Sequence, residues 1–206
     1  AAIFSKGDLT LNGNGTLTVN AVYGHGILSK DDLKITSGSY NVTAQKCALS
    51  GKDSVRIADG TFVLKAGSDG IHSDNEEDES KGYIYIAGGN FTITAESDGM
   101  DSSGTTTIES GIFTISTGDD GIHASTDLLI NNGSITVLKS YEGLEGKTIT
   151  INGGDIRVKS SDDGLNAAGG KDSSGMAGGR GGRNEMFSPG TGVITINGGN
   201  IYVNTD

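Results

Sequence analysis

The sequence predicts an all-β chain folded as a right-handed parallel β-helix, a coil with three short strands per turn. A motif centred on glycine recurs, with its central position at 26, 48, 70, 99, 121, 143 and 164. The steps are 22, 22, 29, 22, 22 and 21 residues, and such regularity is typical of a solenoid. The composition agrees, since 35 Gly, one Pro and 33% hydrophobic residues suit a thin core with many corners.

Each repeat carries three short apolar patterns with the period of a β-strand. In the repeat that contains Gly70, the first strand carries Ile71, the second carries Ile84 and Ile86, and the third carries Phe91 and Ile93. Because alternate residues of a strand face one side, these residues are predicted to point inward and to stack on their equivalents in the next rung. Residues 1–23 show the same alternation and are predicted to be an opening partial rung.

The handedness and the domain organisation follow from the repeat length. Left-handed coils usually run on strict hexapeptides, whereas a rung of about 22 residues with mixed corners favours the right-handed form. Two insertions interrupt the repeat without changing its register, so residues 1–206 are predicted to form a single domain. The insertions are residues 73–82, which are acidic, and residues 167–192, which are rich in glycine, and both are predicted to protrude as loops.

Stacking would turn the acidic positions of the motif into a ladder with a spacing of about 4.8 Å. Ionised neighbours at that spacing repel each other by roughly 3 kcal/mol at an effective dielectric constant near 20, so protonation, solvent or a hard cation must offset the charge. Ca²⁺ prefers six to eight oxygen ligands, and we therefore predict Ca²⁺ along this ladder, with a solvated acidic face as the alternative. The predicted metal ligands are Asp69, Asp98, Asp101, Asp119, Asp120, Glu142, Glu145, Asp162 and Asp163.

Four further residues beside the ladder are candidates for contact with a ligand. His72, His123 and Asn166 lie two residues past the glycine, where a side chain can hydrogen-bond or stack on a sugar. Lys139 aligns with a column of small residues, Ala44, Ala66, Ala95, Thr117 and Ser160. A lysine in such a place acts either as a base with a lowered pKa or as a side chain that reaches solvent.

Charge and composition exclude several classes of partner. A net charge of −11 argues against nucleic acid and anionic membrane surfaces, and no apolar run is long enough for membrane insertion. The single Cys47 cannot form an intrachain disulfide and is predicted to be a small filler in the acid position of its rung. Exposed terminal rungs invite edge pairing, so caps or homo-oligomerisation are expected to cover them.

Several runs together closely resemble a family of secreted bacterial carbohydrate-binding proteins over nearly the whole chain. They are Phe4-Ser-Lys-Gly-Asp-Leu-Thr, Ser29-Lys-Asp-Asp-Leu-Lys-Ile, Gly51-Lys-Asp-Ser-Val, Ser80-Lys-Gly-Tyr-Ile-Tyr-Ile, the Asp-Gly-Ile-His rungs, Tyr141-Glu-Gly-Leu-Glu and Ser161-Asp-Asp-Gly-Leu-Asn-Ala-Ala-Gly-Gly. The resemblance implies a right-handed β-helix like that of pectate lyases, with bound Ca²⁺. It also implies binding of plant cell-wall polysaccharide, both cellulose and acidic pectin-type polymers, and an extracellular or cell-surface location.

Three functions remain open at this stage. The favoured one is non-catalytic, calcium-dependent binding of plant cell-wall polysaccharide. The second is a calcium-dependent pectate lyase, for which Lys139 is the first candidate base. The third is a structural stalk or adhesin repeat, which would bind Ca²⁺ without affinity for sugars.

Overall fold

The computed structural model describes residues 1–75, 77–167 and 192–206, which form a β-coil of eight rungs with three faces. Strands of the first face follow the motif glycine: β1 (Ile3–Ser5), β4 (Ile27–Ser29), β7 (Leu49–Gly51), β10 (Ile71–Ser73), β13 (Met100–Ser102), the starts of β16 (Ile122–Ile130) and β18 (Leu144–Ile151), and β20 (Leu165–Asn166). The second face contains β2 (Leu9–Leu11), β5 (Asp32–Ile35), β8 (Ser54–Ile57), β11 (Tyr83–Ile86), β14 (Thr106–Ile108), the ends of β16 and β18, and β21 (Val193–Ile196). The third contains β3 (Thr16–Ala21), β6 (Ser39–Ala44), β9 (Thr61–Ala66), β12 (Asn90–Ala95), β15 (Ile112–Ser116), β17 (Ser134–Lys139), β19 (Asp155–Ser160) and β22 (Asn200–Thr205).

The strand pairing confirms the predicted parallel β-helix. Every described strand pair is parallel, and the pairs join equivalent positions of successive rungs, as where Ile71 pairs with Met100 and Met100 with Ile122. The 29-residue step therefore leaves the register intact. Residues 1–23 were predicted to be a partial rung, but they form the three strands β1, β2 and β3, because the short alternating runs there pair with the next rung.

The core is a narrow column of inward side chains. Aliphatic residues from all three faces are buried, and the third face adds a stack of aromatic rings. The ring centroids of Tyr40 and Phe62 lie 5.1 Å apart, those of Phe62 and Phe91 4.6 Å, and those of Phe91 and Phe113 4.7 Å. In-register stacking of equivalent positions places these rings face to face at nearly the spacing of the rungs.

Glycine is favoured at two kinds of corner for different reasons, although Ala48 replaces it at one motif corner. The turn before the third face takes a positive φ, as at Gly60 (144°) and Gly89 (116°), where a side chain would strain the backbone. At the motif corner the constraint is space. A Cβ atom on Gly70 would lie 2.4 Å from Ile93 Cγ2 and 2.6 Å from the carbonyl oxygen of Gly99 in the next rung.

The acidic insertion at residues 73–82 is tied to the coil by polar contacts at its base. The buried Asn75 side chain donates to Asp53 Oδ1 at 2.6 Å, and Lys81 Nζ donates to Asp53 Oδ2 at 2.6 Å. Residues 168–191 of the predicted loop 167–192 lie outside the described residues. Within the described part of the chain, no helix is long and apolar enough to cross a membrane.

We expect Gly70→Ala to lower the free energy of unfolding by about 2 kcal/mol or more, because the added methyl group overpacks the corner between two rungs. Urea unfolding followed by circular dichroism measures the change. Gly7→Ala is the matched control, since a Cβ atom there meets nothing within 4 Å. Equal stability of the two variants would contradict the role of close approach at the motif corner.

Candidate functional site

Backbone hydrogen bonds at the motif corner fix the position of the acidic side chains. The N–H group of Gly70 donates to the carbonyl oxygen of Asp98 at 2.9 Å, and Gly99 donates in the same way to Asp120 at 2.9 Å. Gly121 donates to Glu142, again at 2.9 Å. Because each motif glycine is bonded to the acidic position of the next rung, the acidic residues are held one above another.

The resulting acidic ladder consists of Asp69, Asp98, Asp101, Asp119, Asp120, Glu142 and Glu145, which are seven of the nine predicted metal ligands. It contains three overlapping groups whose carboxylate oxygens all lie within 4.8 Å of one another. The groups are Asp69 with Asp98 and Asp101, Asp98 with Asp119 and Asp120, and Asp120 with Glu142 and Glu145. The overlap arises because Asp98 and Asp120 each belong to two groups.

Burial makes this concentration of negative charge costly. Asp120, Glu142 and Glu145 are at most 8% exposed. Burial, together with the carboxylates of Asp120 and Asp101, raises the pKa of Asp98 to about 8. Burial also raises the pKa of Asp120 to about 9, and its hydrogen bond with Glu145 adds to this effect. The protein alone therefore holds part of the ladder in the protonated form at neutral pH.

The two histidines act as a clamp on one carboxylate of the ladder. His72 Nδ1 lies 3.0 Å from Asp101 Oδ2, and His123 Nδ1 lies 2.7 Å from Asp101 Oδ1. Against the effect of burial, the hydrogen bonds to Asp101 and Asp69 raise the pKa of His72 to about 10. Burial acts against ionisation of Asp101 as well, but bonds from His123 and His72 keep its pKa well below the usual range. Both predicted ligand-binding histidines are thus bonded within the site.

The last predicted positions lie at the edge of this arrangement. Asp162 and Asp163 are exposed and belong to none of the carboxylate groups found among the described residues. Asn166 is closer, because its side-chain Nδ2 donates to Glu142 Oε2 at 2.8 Å. The ladder is therefore dense from Asp69 to Glu145 and opens to solvent in the next rung.

Lys139 does not occupy the column that the repeat spacing assigned to it. The pairing of β15 with β17 shifts its register after Ile115, so that Ser116 pairs with Lys139. This irregularity leaves Ser140 as the buried residue at the end of β17 and Lys139 exposed. Lys139 instead lines a surface cavity of about 490 Å³ together with Glu96, Asp119 and Tyr141.

Two features of the site were missed in the sequence. Cys47, predicted to be a filler, donates from Sγ to Asp69 Oδ2 at 3.3 Å, and burial raises its pKa to about 12, so it is a neutral thiol. Beyond it, His25, Lys30, Lys52 and His72 line a small cavity of about 290 Å³ on the outer side of the first face. The signal was available, because Lys30 and Lys52 are separated by one repeat of 22 residues.

The donor chemistry of the ladder fits a hard cation. The groups formed by Asp98, Asp119 and Asp120 and by Asp120, Glu142 and Glu145 consist only of carboxylate oxygens, the ligands that Ca²⁺ prefers. A cation there would replace the protons that the metal-free ladder retains. The group of Cys47, Asp69 and His72 fits less well, because a neutral thiol and a protonated imidazole are poor ligands.

Comparisons with known proteins agree with this architecture. A family model described as "Carbohydrate-binding domain-containing protein" matches residues 1–206. A curated protein with the same description, from Acetivibrio thermocellus, is 52% identical over 44 residues, which are 21% of this chain and 15% of that protein. A solved structure, described as a polysaccharide lyase-like protein from C. thermocellum in a gadolinium derivative, aligns with a TM-score of 0.61 at 40% identity. The alignment covers 62% of this chain and 52% of that one, so the chain spans about half of the solved relative and a small part of the curated one.

We expect the metal-free protein to lose stability as the pH rises from about 6.5 to 9. The raised pKa of His72 stabilises the fold below its ordinary value of 6.5, and this contribution is lost as the pH rises towards about 10. Asp98 acts with the same sign, because the folded state retains a proton between the ordinary pKa of 3.8 and about 8. Urea unfolding in the presence of a chelator, between about pH 5 and 9, measures the slope.

Asp98→Asn is expected to make this slope shallower, since the variant lacks the carboxyl group that must ionise. Asp155→Asn, at an exposed aspartate of the third face, is the matched control and is expected to keep the slope of the unmodified protein. A stability that stays constant or increases up to pH 9 in chelator would contradict the protonation of the buried ladder.

Proposed function

This chain belongs to the family of carbohydrate-binding domain-containing proteins, and we propose that it is a non-catalytic module that binds acidic plant cell-wall polysaccharide with the help of Ca²⁺. The observation that carries the proposal is the acidic ladder, which places seven carboxyl groups along one corner of the coil. A chain with a net charge of −11 repels a polyanion, so a bridging cation is needed to hold one.

The residues that would hold Ca²⁺ are those of two of the three all-carboxylate groups, because the third group includes Asp101, which His72 and His123 already hold. Asp98, Asp119 and Asp120 would serve one ion, and Glu142 and Glu145 would join Asp120 at a second. When bound, Ca²⁺ supplies a positive charge with open coordination positions that uronate carboxylates can fill.

A second feature of the first face favours an acidic sugar over a neutral one at this site. The cavity lined by His25, Lys30, Lys52, His72 and Asp74 adjoins the ladder along the same face. Lys52 is paired with Glu77 at 3.0 Å, so Lys30 is the lysine of the cavity with no ion pair among the described residues. Burial and the positive charges of Lys46 and His72 lower the pKa of His25, which reflects a positive local potential. A polymer that runs along this face would meet Lys30 at one end and metal-bridged carboxylates at the other.

A lyase remains the second candidate, and the position of Lys139 favours it. Lys139 and Asp119 line the same cavity, so a basic side chain lies beside a ladder carboxylate. A calcium-assisted elimination would need that lysine to remove the proton α to a uronate carboxyl group, while the glycosidic C–O bond β to the carboxyl group breaks, its oxygen leaves with a proton as the hydroxyl of the departing sugar, and a C=C bond forms. The structural stalk is the third candidate and differs by having no affinity for sugars. An extracellular or cell-surface location and homo-oligomerisation remain predictions.

The first test is isothermal titration calorimetry with polygalacturonate, in Ca²⁺ and after chelation. We expect binding heat in Ca²⁺, little or none in chelator, and at least about a tenfold weaker affinity for Asp98→Asn/Asp120→Asn, since both proposed calcium groups lose ligands. Asp155→Asn is the control, because it removes one carboxylate from the third face and leaves the ladder intact.

The absorbance of an unsaturated uronate, followed in the same samples, separates the candidates. A signal that rises with time would contradict a non-catalytic module, and its loss in Lys139→Ala would identify the base. Binding that survives both chelation and the double substitution would contradict the role of Ca²⁺ at the ladder. Bound metal without any heat from polygalacturonate would support the stalk.

A further inference from the structure

A surface cleft lies on the second face, and its residues have no part in the proposed calcium site. It has a volume of about 500 Å³ and is lined mainly by apolar atoms. Lys34, Arg56, Tyr83 and Tyr85 form one side of it. We propose that this cleft is a second, metal-independent glycan-binding site that takes an uncharged sugar chain.

The register of the second face brings these side chains together. Lys34 of β5 pairs with Arg56 of β8, and Arg56 pairs with Tyr85 of β11. Tyr83 and Tyr85 alternate with the fully buried Ile84 and Ile86, so both tyrosines point outward. Two aromatic side chains two residues apart on one strand lie about 7 Å from each other and face the same side of the sheet.

The base of the cleft is formed by small side chains at the corner that follows these strands. Ala58 and Ala87 succeed the inward residues of β8 and β11 and leave the backbone accessible beside the tyrosines. A concave, mostly apolar surface with a few convergent polar groups is the usual form of a small-molecule site. The apolar face of a sugar ring can pack against Tyr85, which is 37% exposed.

The charges at the cleft balance, and this balance selects an uncharged ligand. Lys34 forms ion pairs with Asp8 at 3.3 Å and Asp32 at 3.1 Å. Arg56 Nη2 lies 3.9 Å from Asp32 Oδ2, beyond hydrogen-bond distance, so its N–H groups are available to hydroxyl oxygens. Two cations and two carboxylates leave little net attraction for a polyanion, whereas their donors and acceptors suit the hydroxyl groups of a neutral sugar.

The proposal of a sugar ligand rests on the chain's membership of a carbohydrate-binding family. It does not depend on the proposed calcium site. The ladder lies at the corner before the first face. The cleft lies on the outer side of the second face, on strands β5, β8 and β11. Sugar binding at the cleft is therefore expected to be the same with and without chelator. A loss of binding at the calcium site can thus be distinguished from a loss of binding at the cleft.

The test is calorimetric titration with cellohexaose, xylohexaose and mannohexaose in the presence of chelator. We expect at least one of these neutral hexasaccharides to bind, with affinity about tenfold weaker in Tyr85→Ala and also reduced in Arg56→Gln. Tyr23→Ala is the matched control, because Tyr23 is 92% exposed in the corner between β3 and β4. Asp98→Asn/Asp120→Asn is expected to bind the hexasaccharide as tightly as the unmodified protein.

Three results would overturn the proposal. The first is the absence of binding by all three hexasaccharides in chelator, while the thermal unfolding of the protein is normal. The second is binding that Tyr85→Ala and Arg56→Gln leave unchanged, which would place the sugar elsewhere. The third is a change of oligomeric state in Tyr85→Ala, measured by analytical ultracentrifugation, without a change in sugar affinity, which would make the cleft a contact between copies of the chain.

Discussion

The structure depends on one constraint, the parallel in-register hydrogen bonding of each rung to the next. This pairing joins equivalent positions, such as Ile71, Met100 and Ile122, and repeats them at the strand spacing. Side chains at equivalent positions of the repeat therefore stack into columns along the coil. Apolar columns become a continuous core, and the phenylalanines of the third face become a stack. The same geometry brings acidic side chains together at one corner, although their charges repel each other.

The corner resolves this conflict in two ways. Asp101 is ionised and held between His72, whose pKa is raised to about 10, and His123, whose pKa is also raised by its hydrogen bond to Asp101, so the carboxylate is compensated within the protein. Among the described contacts, Asp98 and Asp120 have no hydrogen bond to a histidine, and burial raises the pKa of both carboxyl groups. The charge of Asp101 is compensated by protein side chains. The carboxyl groups of Asp98 and Asp120 are not, and a bound cation could stabilise them in the ionised form. The chemistry of the site is therefore concentrated at Asp98 and Asp120.

The sequence predicts the rungs, the inward columns and most of the acidic ladder, because a fixed period translates directly into stacking. It fails where local geometry departs from the period. The irregularity after Ile115 moves Lys139 out of the column of small residues, and no feature of the repeat marks that shift. The histidine clamp needed side-chain directions rather than spacing. The tyrosine cleft was missed since a low overall aromatic content says nothing about where two tyrosines meet an arginine.

The long strands β16 and β18 have a consequence for the dynamics of the ladder. In these rungs one strand continues from the first face into the second, with only a register shift between Ala124 and Asp127, whereas earlier rungs change face through a break. Local opening of a segment costs more when its hydrogen bonds run unbroken on both sides. Glu145, at the start of β18, and Asp120, just before β16, are thus attached to strands that stay in the sheet from the first face to the second. Their carboxyl groups are preorganised, so a ligand that binds there has little ordering cost to meet.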